Sequence, residues 1–443
     1  MLIRVLIGMI LLAACPLWAQ GGAEVAGTGP GGGGGAMATP APVSGQGYSM
    51  GFTSETRSNY LRGGLVFSTA YDSDVTTGTN GQPVSDVSYT ISPTISLDQT
   101  RSRLHWVFSY SPGFTFYQKN SSLNQANQNF GVSLSYRLSP HVTLSLHDSF
   151  VKTSNALYQP SSDLQQPVSG GVFVPNYSVI APSSDVLTNT ANATLSYQFA
   201  ANAMVGASGN FTNLHYSNQA QVPGLSDSSS KGGSAFYSHR LSKVHYFGAT
   251  YSYQTFLASP TMGQSETQTQ SIFGFYTVYL KPTLSVSLFG GPQYSNTQQF
   301  GLPTSTSWSP GGGASVGWQG KLTSFAASYS KAVNEGGGLV GAVKLSSASA
   351  SLRRQLARTL NISVGGSYAD NSVLDALSTF NSSGHTISGN ASVQRQLRER
   401  LNLGLQYTRL HQSYGGIAAI SSIPNVNVVM ATISYQFMRP LGR

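Results

Sequence analysis

The stretch 429–443, VMATISYQFMRPLGR, repeats a phrase already met as LSYRLS at 134–139 and LSYQFA at 195–200. In an extended chain successive side chains point to opposite faces, so Val429, Ala431, Ile433, Tyr435 and Phe437 share one face while Thr432 and Ser434 share the other. The same period of two runs through HVTLSLHDSF at 141, TLSVSLFG at 283, TLNISVGGSY at 359 and RLNLGLQYTR at 400. Each is a strand with one apolar face. The other face is unusual for a soluble sheet, because it carries Ser, Thr, Asn, Gln and Gly where solubility would call for charge.

Composition repeats that anomaly over the whole chain. Only 9% of the 443 residues are Asp, Glu, Lys or Arg, against about a quarter in soluble domains. Mean hydropathy is close to zero, and after residue 20 no run reaches the roughly 18 apolar residues that a membrane helix needs. The formal charge is +9, yet the basic residues form no nucleic-acid signature, and nucleic acid is not an expected partner.

The connections between strands take turns between two lengths. Tight ones lie at LSPH (138), FAAN (199), LSK (241), LKP (280), WQGK (318), QLAR (355) and LRER (397). Between them fall longer polar segments near 73–85, 117–127, 153–185, 217–230, 258–265, 297–305, 333–340, 371–383 and 414–424. Strands of about ten residues joined by alternating short and long links are the pattern of a transmembrane β-barrel, since hydrocarbon tolerates no open sheet edge. The expected fold is therefore all-β: an antiparallel up-and-down barrel of about 18 strands with short periplasmic turns and long extracellular loops.

On this fold the repeated phrase marks an interface. Tyr136, Tyr197, Trp318, Tyr435 and Phe437 all stand where a strand enters a short turn, the position of the periplasmic aromatic girdle. The opposite parity assigns Ser133, Ser135, Asn192, Thr194, Ser196, Ser285, Ser287, Asn361, Ser363, Asn390, Asn402, Gln406 and Thr432 to the lumen. Such hydroxyls and amides exchange hydrogen bonds with water or sugar without strong charge selection, and a barrel this wide holds water. Phe273 and Phe275, in a segment apolar on both faces, are expected either to line the lumen for sugar stacking or to pack against an inserted loop. The long loop 153–185, which contains SGGVFVPNYSVIAP, is expected to fold into the pore or to cover its mouth.

The ends are organised differently. Residues 1–19 have the layout of a signal peptide, with cleavage after Ala19 competing against lipoprotein processing at Cys15. Residues 20–58 form a Gly, Pro and Ala-rich linker, 59–437 the barrel, and 438–443 a short tail. The final phrase resembles the terminal strand of bacterial outer-membrane proteins. That resemblance implies that Val429, Ala431, Ile433, Tyr435 and Phe437 are read by the barrel assembly machinery, although this chain continues six residues past the Phe. With YDSD at 71–74 and YTISPTISLD at 89–98, residues 60–437 resemble the β-barrel porins of the porin-2 kind, some of which accompany polysaccharide export in Gram-negative bacteria.

Catalytic patterns are present and poorly placed. GASVG at 313–317 fits a nucleophile elbow and SYSK at 328–331 fits S-x-x-K, but the first continues as strand and the second splits Ser328 and Lys331 between faces. His105, His147, His239, His245 and His385 have no spacing that ties them to partners, and no cluster has metal-ligand spacing. No enzymatic activity and no cofactor are expected. Asp148 falls on the lipid parity, where a bulge or a rim position is expected. The expected function is passive diffusion of small hydrophilic, mostly neutral solutes across the outer membrane. Polysaccharide export or a closed structural barrel are the alternatives, and outer-membrane lipids are the surroundings. Oligomeric state is left open.

Overall fold

A computed structural model of the chain describes residues 59–75, 83–153, 185–217, 226–259, 264–299, 301, 303–336, 340–374, 383–414 and 425–441. The expected signal peptide and linker at 1–58, and most of the long segment 153–185, lie outside them. The described residues are almost entirely strand: β1 (Asn59–Asp72), β2 (Asp86–Thr100), β3 (Leu104–Tyr110), β4 (Gly113–Tyr117), β5 (Gln125–Arg137), β6 (Val142–Thr153), β7 (Val186–Ala200), β8 (Ala203–Tyr216), β9 (Asp227–Arg240), β10 (His245–Ser259), β11 (Ser265–Lys281), β12 (Leu284–Gln299), β13 (Ser305–Gln319), β14 (Thr323–Gly336), β15 (Val340–Ala357), β16 (Leu360–Val373), β17 (Gly384–Arg398), β18 (Leu401–Tyr414) and β19 (Asn425–Pro440).

Every neighbouring pair is antiparallel, and β1 pairs with β19 from Tyr60–Pro440 to Asp72–Val428, so the sheet closes. β3 and β4 are two halves of one span, which makes 18 spans from 19 strand segments. Both halves keep the same register against β2 and β5, and only Ser111 and Pro112 drop out of the ladder. Pro112 has no N–H to donate there. β19 runs three residues past Phe437, because Met438, Arg439 and Pro440 still face Arg62, Leu61 and Tyr60.

The register fixes which face each residue occupies, since directly opposed residues in an antiparallel pair lie on one side of the sheet. One face is apolar and exposed: Leu65, Ile91, Leu195, Leu288, Val364 and Ile433 are among the many large hydrophobics open on it. In water that exposure would be an aggregation surface. In a bilayer it is the face that meets lipid, and closure satisfies the backbone. Four of the short turns carry register shifts, at Tyr197/Ala200, Tyr279/Lys281, Gln355/Ala357 and Gln396/Arg398, which tighten the chain reversal at the periplasmic rim.

The barrel departs from regularity at one place. β13 and β14 pair only from Gln319–Ser324 up to Gly312–Lys331. Above that level Ser305–Gly311 stay paired with β12 alone, and β14 stays paired with β15 alone. The upper ends of β14 and β15 turn inward across the lumen.

Candidate functional site

The inner wall is built by alternation. Across it, hydroxyls from adjacent strands bond one another: Ser208 to Ser234 at 2.7 Å, Ser252 to Ser271 at 2.6 Å, Thr277 to Ser287 at 2.9 Å, Ser328 to Ser349 at 2.9 Å and Ser363 to Ser392 at 2.7 Å. Each short hydroxyl uses one of its bonds on a neighbour and retains capacity for another partner.

Each residue assigned to the lumen from sequence stands opposite other inward residues. Ser133 faces His147, and its Oγ lies 2.8 Å from Nδ1 of that ring. Ser135 faces Ser145 and His105. Asn192, Thr194 and Ser196 face Asn210, Ser208 and Gly206. Ser285 and Ser287 face Gly317 and Ser315. Asn361 and Ser363 face Gln394 and Ser392. Asn390 faces Thr408 and Gly365, and neither of its amide atoms has a protein partner. Asn402, Gln406 and Thr432 complete the ring opposite Ser434, Met430 and Gly404. The aromatic residues Tyr136, Tyr197, Trp318, Tyr435 and Phe437 occupy the outward parity at the short-turn ends.

The carboxylates of the inner wall are engaged, while Arg62, Arg137 and Arg240 share the inward parity toward the short-turn ends. At the extracellular end Asp72 accepts the N–H of Asp74 at 2.8 Å, and Asp74 accepts that of Val84 at 3.3 Å. Asp86 holds the segment after β4 by accepting the backbone N–H groups of Lys119 at 3.1 Å and Asn120 at 2.9 Å, and the Asn120 amide at 2.9 Å. Those carboxylates tie loops to the rim. Asp98 lies 3.1 Å from the Nε2 of His105, and Arg353 faces inward between Ser324 and Ser363 near the periplasmic end.

The lumen narrows in its outer half. β10 and β14 are four strands apart, about 19 Å along the wall at the usual strand spacing, yet Phe256 of β10 packs with Val333 of β14 and with Leu374 beyond β16. That contact requires the β14–β15 tip to cross the inner space. Gln293 of β12 anchors it, accepting the Val333 N–H on its Oε1 at 3.3 Å. Gly311 makes room, since a Cβ there would lie 2.7 Å from the Phe273 ring and 3.3 Å from the Gln293 oxygen. Phe273 and Phe275 face inward and are buried, with Phe273 edge-on to Phe289 at 5.9 Å. Nothing in the sequence pattern alone placed the tip inside. Its signal was Pro292 and Pro310, facing one another in the middle of two strands.

Two smaller expectations resolve locally. No bulge removes Asp148 from the outward face, because the ladder through Val132, Asp148 and Ala191 is unbroken. Its carboxylate instead accepts the Asn189 amide at 3.1 Å on that face. Ser328 points inward to Ser349 while Lys331 points outward, and 313–317 is continuous strand. Among the described residues no group of His, Cys, Asp and Glu is arranged to hold a metal ion.

A closed antiparallel barrel with an apolar outward band and a polar inner wall spans a membrane, and in bacteria that membrane is the outer one. The chain folds as a closed antiparallel β-barrel of 18 membrane-spanning strands. No protein-family model matches the chain, and no curated protein matches it in sequence. Among solved structures it is similar to OpdQ of Pseudomonas aeruginosa, at 10% identity over 86% of this chain and 99% of that one, with a TM-score of 0.44. It is also similar to OccAB4 of Acinetobacter baumannii, at 10% identity over 87% and 100%, with a TM-score of 0.43. The siderophore receptor PirA of Pseudomonas aeruginosa scores 0.42 at 10% identity, over 87% of this chain and 81% of that one. At these values none of them assigns a function to the chain.

Proposed function

We propose that the protein is a channel for passive diffusion of small hydrophilic, mostly neutral solutes across the outer membrane. One observation carries this: the inner wall is a nearly continuous lattice of Ser, Thr and Asn groups, while its acidic groups at the extracellular rim are engaged in holding loops. Neutral donors and acceptors of this kind replace the hydration of a sugar or amide at little cost and discriminate weakly by charge. The infolded β14–β15 tip sets the aperture in the outer half. A wall of 18 spans leaves room for water below it.

The test is swelling of liposomes containing the refolded chain, with neutral solutes of rising size and with small anions and cations. Entry of a pentose and a hexose, with comparable rates for neutral and singly charged solutes of one size, is the expected result. Strong preference for one sign of charge would contradict the neutral part. No entry of any solute into vesicles that hold folded barrel would contradict the channel itself.

A further inference from the structure

The open seam between β13 and β14 lies within the membrane. On the outward face of β13, Trp318 and Trp308 are ten residues apart, which on a strand tilted by about 40° spans roughly 25 Å, the height of the apolar band of a membrane barrel. Trp318 stands at the short-turn end and Trp308, 72% exposed, at the other. The ladder fails from Gly311 upward, between them. Among the described residues, β13 has no strand partner on its β14 side in the outer half of the band.

Two prolines explain why. Pro292 and Pro310 face each other across β12 and β13. Having no N–H, they fit together only as a non-hydrogen-bonded pair, which turns Pro310 toward β14 and Pro292 toward β11. Continuing the β13–β14 register would set Pro310 opposite Val333. That pair would lack one of its two bonds, and Val333 donates to Gln293 instead. On the other side the β11–β12 ladder skips from Ser271–Gln293 to Gly274–Gly290. Both departures occur at one height.

One side of the seam carries a shallow depression: about 430 Å³ on β12 and β13, bordered by Gly291, Pro292, Trp308, Ser309, Pro310 and Gly311. Behind it, on the inner face, lie Phe273 and Phe289. Glycines let both rings lie against β13, where a Cβ at Gly313 would come 2.8 Å from Phe289. Apolar groups thus stand on both sides of β13 at the height where its outer edge is unpaired. The Trp308 peptide group and the Pro310 carbonyl, directed into the seam, have no ladder partner on β14. Hydrocarbon alone would leave them unsatisfied.

We infer that the β13–β14 seam is a lateral portal and binding site for small amphiphiles, molecules with an apolar ring or chain and one polar end, moving between outer leaflet and lumen. The apolar part meets Pro292, Pro310, Trp308 and the phenyl rings. The polar end meets the exposed strand edge and then the hydroxyl wall.

The test uses the full chain in vesicles with Trp18, Trp106 and Trp318 replaced by Phe, so that Trp308 is the only tryptophan and is excited selectively at the red edge of its band, and 11-bromoundecanoate as the quencher. Saturable quenching of at least two-fold, competed by undecanoate, is expected. Linear, uncompeted quenching equal to that of a variant keeping only Trp106 would overturn the proposal. A second variant, Ser309→Cys/Asn334→Cys, joins positions that face each other if the seam zips in register. Once oxidised it should lose the saturable component and pass hydrophilic solutes faster, because the tip has left the lumen. Retention of saturable quenching after oxidation would also overturn it. Where the cystine does not form, the quenching of Trp308 decides alone.

Discussion

The Oε1 of Gln293 accepts the backbone N–H of Val333 at 3.3 Å although a whole strand, β13, stands between theirs in the sheet. A side chain has taken the place of a ladder carbonyl. The barrel keeps this backbone N–H bonded while the outer end of β14 lies inward, and on the proposed function the aperture depends on that contact.

Replacing Gln293 with Leu removes the acceptor and leaves the Val333 N–H buried without one, which costs about 1–3 kcal/mol. The tip should then spend more time away from the inner wall. Single-channel recordings of Gln293→Leu are expected to show larger or flickering steps, while Gln293→Glu, which keeps an acceptor, should resemble the parent.

The two faces of one strand predict opposite behaviour for adjacent residues. Val364 points to lipid beside Leu352 and Ala391, and Ser363 points inward to Ser392. Val364→Lys should destabilise the barrel by about 2–4 kcal/mol where it lies near the midplane, seen as a lower urea midpoint in vesicles. Ser363→Lys should leave stability nearly unchanged and shift ion selectivity toward anions.

Asp148 and Asn189 form a polar pair on the outward face. Removing only Asn189, as Leu, leaves a carboxylate facing lipid without its amide and should cost about 1–3 kcal/mol. Removing both, as Asp148→Leu/Asn189→Leu, should restore or raise stability. The comparison is read from unfolding midpoints of the four members of the cycle.

At the extracellular rim, Asp86 gathers the backbone and side chain of Asn120 and the N–H of Lys119. Asp86→Ala should release this segment, making intact cells or vesicles sensitive to trypsin at Lys119, with the rest of the barrel still resistant.

Much of the architecture was legible because the apolar face reports itself at every second residue. The phrase ending in Tyr435 and Phe437 fell at a strand end entering the short-turn side, as did LSYQFA through Phe199 and Ala200. Long and short links alternated because up-and-down topology leaves no other order. What was not legible depends on pairs rather than on strings. Pro292 and Pro310 read as two separate mid-strand prolines until the register sets them face to face, at the height where the next ladder stops. Asp148 broke the alternation visibly, but its partner Asn189 is 41 residues away and is found only through the β6–β7 register. The aperture had been sought in the long segment 153–185, of which 154–184 lies outside the described residues. The narrowing comes instead from the outer end of β14, at Val333.

The central claim is an open, neutral polar channel, and the most direct measurement is single-channel conductance of the refolded chain in a planar bilayer with neutral oligosaccharides added from the extracellular side. Well-defined open steps, weak ion selectivity, and interruption of the current by sugars too large for the narrowing at Val333 are expected. Protein shown to be folded and inserted that never conducts, or a pore strongly selective for one sign of charge, would contradict it.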